Sequence, residues 1–366
     1  MKIPFVSFEK QYTETKEDIL LAIEKAIDSK CYVLGQNLFN FESNYKNLNK
    51  VKFAVGVGSG LDALIISLKS LNIKQNDEVI VASNAYIASW LSITNVGATI
   101  VPVEPDEKTF NIDVSKIEGK ITKNTKAIMP VHLFGQPCQM DQIMAIAKKH
   151  NLYIVEDNAQ AHLAKFDNKL TGTFGNINAS SFYPTKNIGA LGEAGCITTN
   201  NKELSLFANK YRNYGSSEKY ICDVIGTNSR LDEIQAAILN VKLKHIEKWT
   251  IERQKIAQLY NKRLSGIIEI PFKHKKSSHV YHLYVIKTSK RDQLQKFLSK
   301  RNIGTAIHYP IPPHLQKAYK HLNYKEGDFP VAEKLANQSL SLPIYPGLKE
   351  DEINYICDSV LKYFKS

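Results

Sequence analysis

The sequence predicts an α/β fold, with a mostly parallel sheet between helices and a smaller α+β unit after it. Three observations carry this. Between about residues 50 and 200, short apolar runs alternate with helical patterns, the signature of strand–helix–strand units. The runs are rich in Val and Ile and lack strict apolar–polar alternation, as strands buried on both faces do. Beyond Leu264 the alternation gives way to isolated strand and helix signals. The chain has 366 residues, enough for about two domains at ~150 residues each. The expected division is a large domain over 1–245 and a small one over 246–366, with the N-terminal segment packing on the small domain.

Taken in order, the first helix is expected over Lys16–Ser29. Thr15 and Asp18 stand at capping-box spacing before it, and Ile19, Leu20, Ile23 and Ile27 form one stripe. Strands follow at Phe53–Gly58, Glu78–Ser83, Ala98–Glu104, Lys126–His132 and Tyr153–Asp157. Helices are expected between them at Leu61–Leu71, Ile87–Thr94 and Met140–His150. A long helical stretch with few breakers runs from Leu231 to Leu264 and carries the chain between domains. The small unit starts with a strand at His279–Thr288 and a helix at Asp292–Arg301. It ends in a helix at Glu350–Phe364, with Ile353, Ile356, Cys357, Val360, Leu361 and Phe364 inward.

Composition narrows the function classes. Apolar residues at 43% and charged residues at 23% are ordinary for a globular chain and exclude disorder and fibrous repeats. The net charge of +12 opens a nucleic-acid reading, but only six of the 48 basic residues are Arg. Arg is the side chain suited to bidentate reading of phosphates and guanine edges, so the Lys excess reads as solubilising charge and no nucleic-acid partner is expected. Five scattered cysteines without CxxC spacing form neither a zinc ribbon nor a disulfide framework; they read as thiols of a reducing compartment. The N-terminus lacks an apolar signal core, and no apolar run approaches ~18 residues. The expectation is a cytoplasmic protein that neither binds nor spans a membrane and holds no metal.

Three segments carry chemistry. In Gly56-Val57-Gly58-Ser59-Gly60-Leu61-Asp62-Ala63 a strand ends in glycines and a helix begins. Free N–H groups and the helix dipole there suit a phosphate; a plain tight turn needs the same glycines. A dinucleotide fingerprint is disfavoured, because Leu61 occupies the third glycine position. In Val155-Glu156-Asp157-Asn158-Ala159-Gln160-Ala161-His162 an apolar strand delivers Asp157 at its C-terminal end, where open α/β sheets bind ligands. That carboxylate either pairs with a cationic ring nitrogen or caps the next segment. His162 reads as a satisfied structural histidine. In Ser180-Ser181-Phe182-Tyr183-Pro184-Thr185-Lys186-Asn187-Ile188-Gly189 a lysine follows an aromatic stretch. Most lysines are solvated charges, but one held against apolar walls has a lowered pKa and forms a Schiff base. A phosphate cup, the aromatic Tyr86, a strand-end Asp, a Ser and a Lys are, in that order, the parts of a pyridoxal phosphate site.

The stretches GVGSGLDAL, ASNAYIASW, PVHLFGQP, VEDNAQAH, SFYPTKNIGALGEAG, NYGS and NSRLDEIQAAIL resemble the DegT/DnrJ/EryC1/StrS sugar-nucleotide aminotransferases over essentially the whole chain. VPVEPDEKTFNID, HVYHLYV and IHYPIPPHLQKAY are similar to the subgroup aminating C3 of dTDP-3-keto-6-deoxyhexoses. The resemblance implies the type I pyridoxal phosphate fold (aspartate aminotransferase-like), Lys186 as the Schiff-base lysine and Asp157 as partner of the pyridine nitrogen. It implies Gln160 near the ring hydroxyl, Tyr86 stacked on the ring, and Gly60, Leu61 and Ser181 around the phosphate. Asn228 matches a residue that reaches the phosphate from a neighbouring subunit, which implies a homodimer with shared sites. Tyr183, His308, Tyr309 and His314 are expected sugar or nucleotide contacts. Asn158, Leu163 and Thr185 stand where the family has alanine, glycine and often glycine; Leu163 and Thr185 are expected to alter backbone geometry near the ring and with it substrate fit, not cofactor binding.

The implied reaction is a two-stage transamination from L-glutamate to a nucleotide-linked keto sugar, feeding polysaccharide or O-antigen assembly. Three rivals stand beside it. The related dehydratases carry a histidine in place of the lysine, which Lys186 opposes. Amination at C4 of a UDP- or dTDP-4-keto-6-deoxyhexose uses the same scaffold. A non-catalytic binding or regulatory protein on this fold would not need both Asp157 and Lys186.

Overall fold

The computed structural model describes residues 1–365; Ser366, the last residue of the expected small domain, lies outside them. Helix α1 (Glu9–Asp28) starts well before the expected Lys16. Phe8 stands at the N-cap without a side-chain cap, Ser7 Oγ accepts from Glu9 N–H, and Thr15 turns its hydroxyl inward to the carbonyl of Gln11. Helix α2 (Gln36–Asn49) buries Leu38, Phe41 and Tyr45. Its N-terminus is capped from afar: the Glu233 carboxylate accepts from the N–H groups of Gly35, Asn37 and Leu38.

The alternating region follows as β1 (Phe53–Val57), α3 (Gly60–Ser70), β2 (Glu78–Ala82), α4 (Ile87–Asn95), β3 (Thr99–Val103), β4 (Thr125–Met129), α5 (Met140–His150) and β5 (Tyr153–Asp157). A hairpin of β6 (Lys165–Phe166) and β7 (Lys169–Leu170) precedes β8 (Ile177–Ser181) and β9 (Gly195–Thr199). Then come α6 (Lys202–Tyr211), a surface hairpin of β10 (Ser216–Glu218) and β11 (Ile221–Cys222), and helices α7 (Glu233–Leu243) and α8 (Ile246–Leu264). The single helical stretch expected over Leu231–Leu264 is thus two helices, broken at Lys244–His245.

Seven strands form the central sheet in the order β1-β9-β8-β5-β4-β2-β3. All pairs are parallel except those of β9 with β1 and β8. The register places Val57 opposite Gly195, Gly195 opposite Ser181, and Asp157 opposite Ala179. One sheet edge therefore carries the β1–α3 turn, Ser181 and Asp157 together.

The C-terminal part comprises β12 (Ser277–Ser278), β13 (Tyr284–Lys287), α9 (Arg291–Lys300), α10 (Pro330–Gln338), β14 (Ser339–Leu342) and α11 (Glu350–Lys365). The expected strand over His279–Thr288 shortens to β13. His279–Leu283 instead wraps a turn of the large sheet, where Val280 N–H donates to Gly135 and Leu283 N–H to Phe134. A second apolar core, built on Tyr260, Tyr284, Leu294, Leu340 and Ile356, also takes in Ile3. Ile3 bridges to Ile303, and Gly304 N–H donates back to Ile3. Among the described residues, no helix is long and apolar enough to cross a membrane.

Candidate functional site

The floor of the site is the C-terminal edge of β5. Asp157 is 5% exposed. Its Oδ2 accepts a 2.7 Å hydrogen bond from Ser89 Oγ on α4, and its Oδ1 accepts from Ala159 N–H. The carboxylate is thereby fixed from two elements. Its neighbour Glu156 points to the opposite face and is fully buried. It accepts from the N–H groups of Gly172, Phe174 and Gly175 and from His132 Nε2. His132 Nδ1 accepts from Cys138 N–H, which leaves Nε2 as the protonated, donating nitrogen. Alternation along one strand thus turns one carboxylate into a loop anchor and offers the other to the site.

Gln160 is the next anchor. Its Oε1 accepts from Phe134 N–H, and its Nε2 donates to the Tyr309 hydroxyl at 3.1 Å. The Tyr309 ring lies 5.1 Å from that of Tyr86, which opens α4 and is 45% exposed. Tyr86, Ser89 and Asp157 are therefore tied to one helix end and one strand end.

The β1–α3 turn forms the second wall. Ser59 caps α3, its side chain accepting from Asp62 N–H, and Ser229 bridges Gly58 N–H and the Asp62 carboxylate. Gly60 and Leu61 start the helix, so their N–H groups are among those a helix leaves free. A side chain at Gly60 would meet Ser181 Cβ at 2.5 Å, and one at Gly195 would meet Ser59 O at 2.1 Å. The glycines thus let the turn settle onto Ser181 and leave a small cup of N–H and hydroxyl donors, matched to an anion.

Lys186 follows β8 in a turn closed by its own N–H to Tyr183 O. It is half-buried, and desolvation pulls its amine down from 10.5 to about 8 against the opposing fields of Asp157 and Glu193. Such an amine is partly neutral near pH 7–8 and available as nucleophile or base. His308 lines a cavity beside it. Burial, with Lys186 nearby, lowers that imidazole to about 4, and its Nδ1 bonds Ser341 Oγ. Tyr183 lies at the mouth, 48% exposed.

The fold thus brings Gly60, Leu61, Tyr86, Asp157, Gln160, Ser181, Tyr183, Lys186, His308 and Tyr309 to one place. Asn228 is exposed, on the segment whose backbone bridges to Asn213. His314 is not brought in. It is 1% exposed, its Nε2 bonds the Glu333 carboxylate, and its ring packs on Phe329, so it braces a loop rather than facing a ligand. His162 is structural but not satisfied. Neither ring nitrogen has a partner among the described residues, the ring packs against Phe182 and Tyr45, and burial pulls it down to about 3. Leu163 keeps the left-handed backbone, φ 65°, that its expected glycine would take without strain. Sequence reasoning missed Ser89, whose only signal is its i+3 spacing from Tyr86 on one helix face.

Residues 13–361 match the DegT/DnrJ/EryC1/StrS aminotransferase family. A dTDP-3-amino-3,6-dideoxy-alpha-D-galactopyranose transaminase from Aneurinibacillus thermoaerophilus is 44% identical over 99% of both chains. A protein named pleiotropic regulatory protein, from Geobacillus stearothermophilus, is 40% identical over 100% of this chain and 99% of its own. The crystal structure of Streptomyces venezuelae DesV, solved with a ketimine intermediate, superposes with a TM-score of 0.98 at 41% identity, covering 100% of this chain and 99% of that one. The chain belongs to the DegT/DnrJ/EryC1/StrS aminotransferase family, and its fold is the type I fold of pyridoxal phosphate enzymes.

Proposed function

We propose that this aminotransferase uses pyridoxal phosphate to move an amino group from L-glutamate to C3 of a dTDP-3-keto-6-deoxyhexose, yielding the dTDP-3-amino-3,6-dideoxyhexose. The observation that carries the chemistry is a lysine with a near-neutral amine beside a buried, doubly held carboxylate on one sheet edge. The substrate class rests on the relatives, the A. thermoaerophilus transaminase first among them.

The residues present fit the cofactor. A Cβ at Gly60 would fill the cup that the phosphate needs, and Asp157 is a buried, fixed carboxylate with which a ring nitrogen could pair. When bound, pyridoxal phosphate supplies an aldehyde for an amine and a pyridinium ring that withdraws electrons. Lys186 holds it in the resting enzyme through its Nζ. Freed by the donor amine, its Nζ would take the proton from the donor α-carbon as base and give it back as acid, on the one face that Lys186 occupies. Asp157 keeps the ring nitrogen protonated, and Ser89 keeps Asp157 in place. Tyr86, backed by Tyr309, would cover one ring face; Gln160, the expected neighbour of the ring hydroxyl, is held by Phe134 N–H and the Tyr309 hydroxyl. Gly60, Leu61 and Ser181 bind the phosphate. Asn228 completes the same site in a partner subunit, so the working unit is a homodimer. Residues 1–245 serve as the cofactor domain and 246–366 as the small domain. Five free cysteines support a reducing, cytoplasmic setting.

The pleiotropic regulatory relative keeps a regulatory reading in view, but the Lys186 and Asp157 arrangement is chemistry that a pure regulator has no use for. The test is NMR of the product formed with glutamate from 3-keto and 4-keto dTDP sugars. The reading expects a C3 amine from the 3-keto sugar; an amine at C4 rejects the positional assignment, and no turnover with any keto sugar rejects the function.

A further inference from the structure

Lys186 sits in an irregular loop between β8, which ends at Ser181, and β9, which starts at Gly195. Main-chain bonds close the loop on itself. Phe182 N–H donates to Ala194 O, Ala190 N–H to Phe182 O, and Lys186 N–H to Tyr183 O. Its two limbs touch, since a Cβ at Gly189 would stand 2.3 Å from the carbonyl oxygen of Pro184. No helix or strand lies within the loop, so its place depends on what it is tied to. Asn187 ties the tip, its Nδ2 donating to Val280 O and its Oδ1 bonding His282 Nδ1.

Two side chains of α7 tie the limb that follows. Gln235 Oε1 accepts from Leu191 N–H at 2.9 Å, and its Nε2 donates to Leu191 O. Lys242 Nζ donates to Gly189 O at 2.6 Å. The two stand seven residues apart, on one face of the helix. Lys242 is 5% exposed, and burial, with no carboxylate opposing it, pulls its amine down to about 8. A buried amine without a carboxylate costs stability, and an apolar side chain of similar volume fills such a site without that cost. What the amine adds is a fixed point for one carbonyl, three residues after the lysine that does the chemistry.

We propose that α7 clamps the loop of Lys186 and that Lys242 is a positioning residue: through Gly189 O it sets where the Lys186 amine stands when it takes and returns the proton. The inference rests on the aminotransferase reading above and goes beyond it by placing control of the lysine on a separate helix. A misplacement of about 1 Å at a reacting group costs ~10²-fold in rate.

The experiment uses the full-length protein with Lys242→Met, which removes the donor, Lys242→Gln, which keeps a neutral one, and Gln235→Leu. In cofactor-free protein, hydrogen exchange read by mass spectrometry reports the loop. The amides of Lys186 and Ala190 should exchange about tenfold faster in Lys242→Met, at an equal or higher Tm because the cost of burying the amine is gone. With cofactor, kcat should fall roughly 10- to 100-fold, with KM unchanged for glutamate and for the keto sugar. The primary isotope effect with glutamate deuterated at its α-carbon should rise, because the misplaced lysine slows the proton step. Lys242→Gln should return the slow exchange and most of kcat. Gln235→Leu should act in the same direction and more weakly, and it carries the test if Lys242→Met does not fold. Wild-type exchange, kcat and isotope effect in a folded Lys242→Met protein would overturn the inference. So would a Lys242→Gln protein no better than Lys242→Met, or, where Lys242→Met does not fold, wild-type exchange in Gln235→Leu. A wild-type enzyme that turns over no keto sugar refutes the underlying reading instead, and the exchange comparison still decides the clamp.

Discussion

On one side of Lys186 stands a wall in which Ser89, Asp157, Gln160 and Ser181 are all less than a tenth exposed. Each of them has its hydrogen-bond partner inside the same chain. The rim is Tyr86 and Tyr183, 45% and 48% exposed, with Asn228 also exposed. The wall is finished by one subunit. The rim leaves large apolar side chains in water beside a polar pocket, the pattern of a surface made to be covered. Binding and proton chemistry are thus built into the monomer, and under the proposed homodimer the mouth is what a partner would close.

Changes in the wall should have the largest effects. Lys186→Ala removes nucleophile and proton carrier together, so activity should fall ~10⁴-fold or more with the fold unchanged by circular dichroism. Asp157→Ala should cost ~10²–10³ in kcat, and Ser89→Ala less, about tenfold by loss of one hydrogen bond to a charged group. If Ser89→Ala were as damaging as Asp157→Ala, the wall would be acting through Ser89 and the assignment would be wrong.

The rim is tested by complementation. Asn228→Ala alone should weaken cofactor binding about tenfold. Mixed with Lys186→Ala and assayed at a cofactor concentration that leaves the Asn228→Ala sites largely empty, it should restore about one quarter of wild-type activity, because half of the dimers are mixed and each of these carries one intact site. No restoration after subunit exchange would mean that the sites are not shared.

Two smaller effects sharpen the contrast. In cofactor-free protein, Lys186 should react with an amine-directed reagent with a midpoint near pH 8. Behind the wall, burial holds His162 and His279 at about 3 in the folded state, against ~6.5 unfolded. A lowered folded pKa means that the unfolded chain binds more protons as pH falls. Stability is therefore full above about 6.5 and is lost between 6.5 and 3. Each histidine should cost ~1–2 kcal/mol at pH 5, read as a lower denaturation midpoint than at pH 7, and His162→Phe should recover part of it.

Where function depends on local order, the sequence was readable. The glycine turn, the strand-end Asp157 and the lysine after an aromatic run are each visible within a few residues, and their order, not any one of them, points to a site. What was hidden depends on distant partners. Helix α2 has no local cap, because its cap is Glu233 on another helix. Strand β8 reads Ile-Asn-Ala-Ser-Ser and looks like a loop. It is wholly buried because Ser180 accepts from the Tyr45 hydroxyl and Asn178 donates to Thr198. His314 seemed to be a ligand contact because a loop histidine gives no sign of the Glu333 that occupies it. Lys242 lay unremarked in a helix, since only the folded chain shows its amine on the carbonyl of Gly189 in the loop of Lys186.

The most direct test of the account is borohydride reduction of the pyridoxal phosphate-loaded protein, followed by peptide mass mapping. A single stable cofactor adduct should form on the peptide containing Lys186, with loss of the yellow colour on reduction. An adduct on another lysine, or a protein that takes up no cofactor, would contradict it.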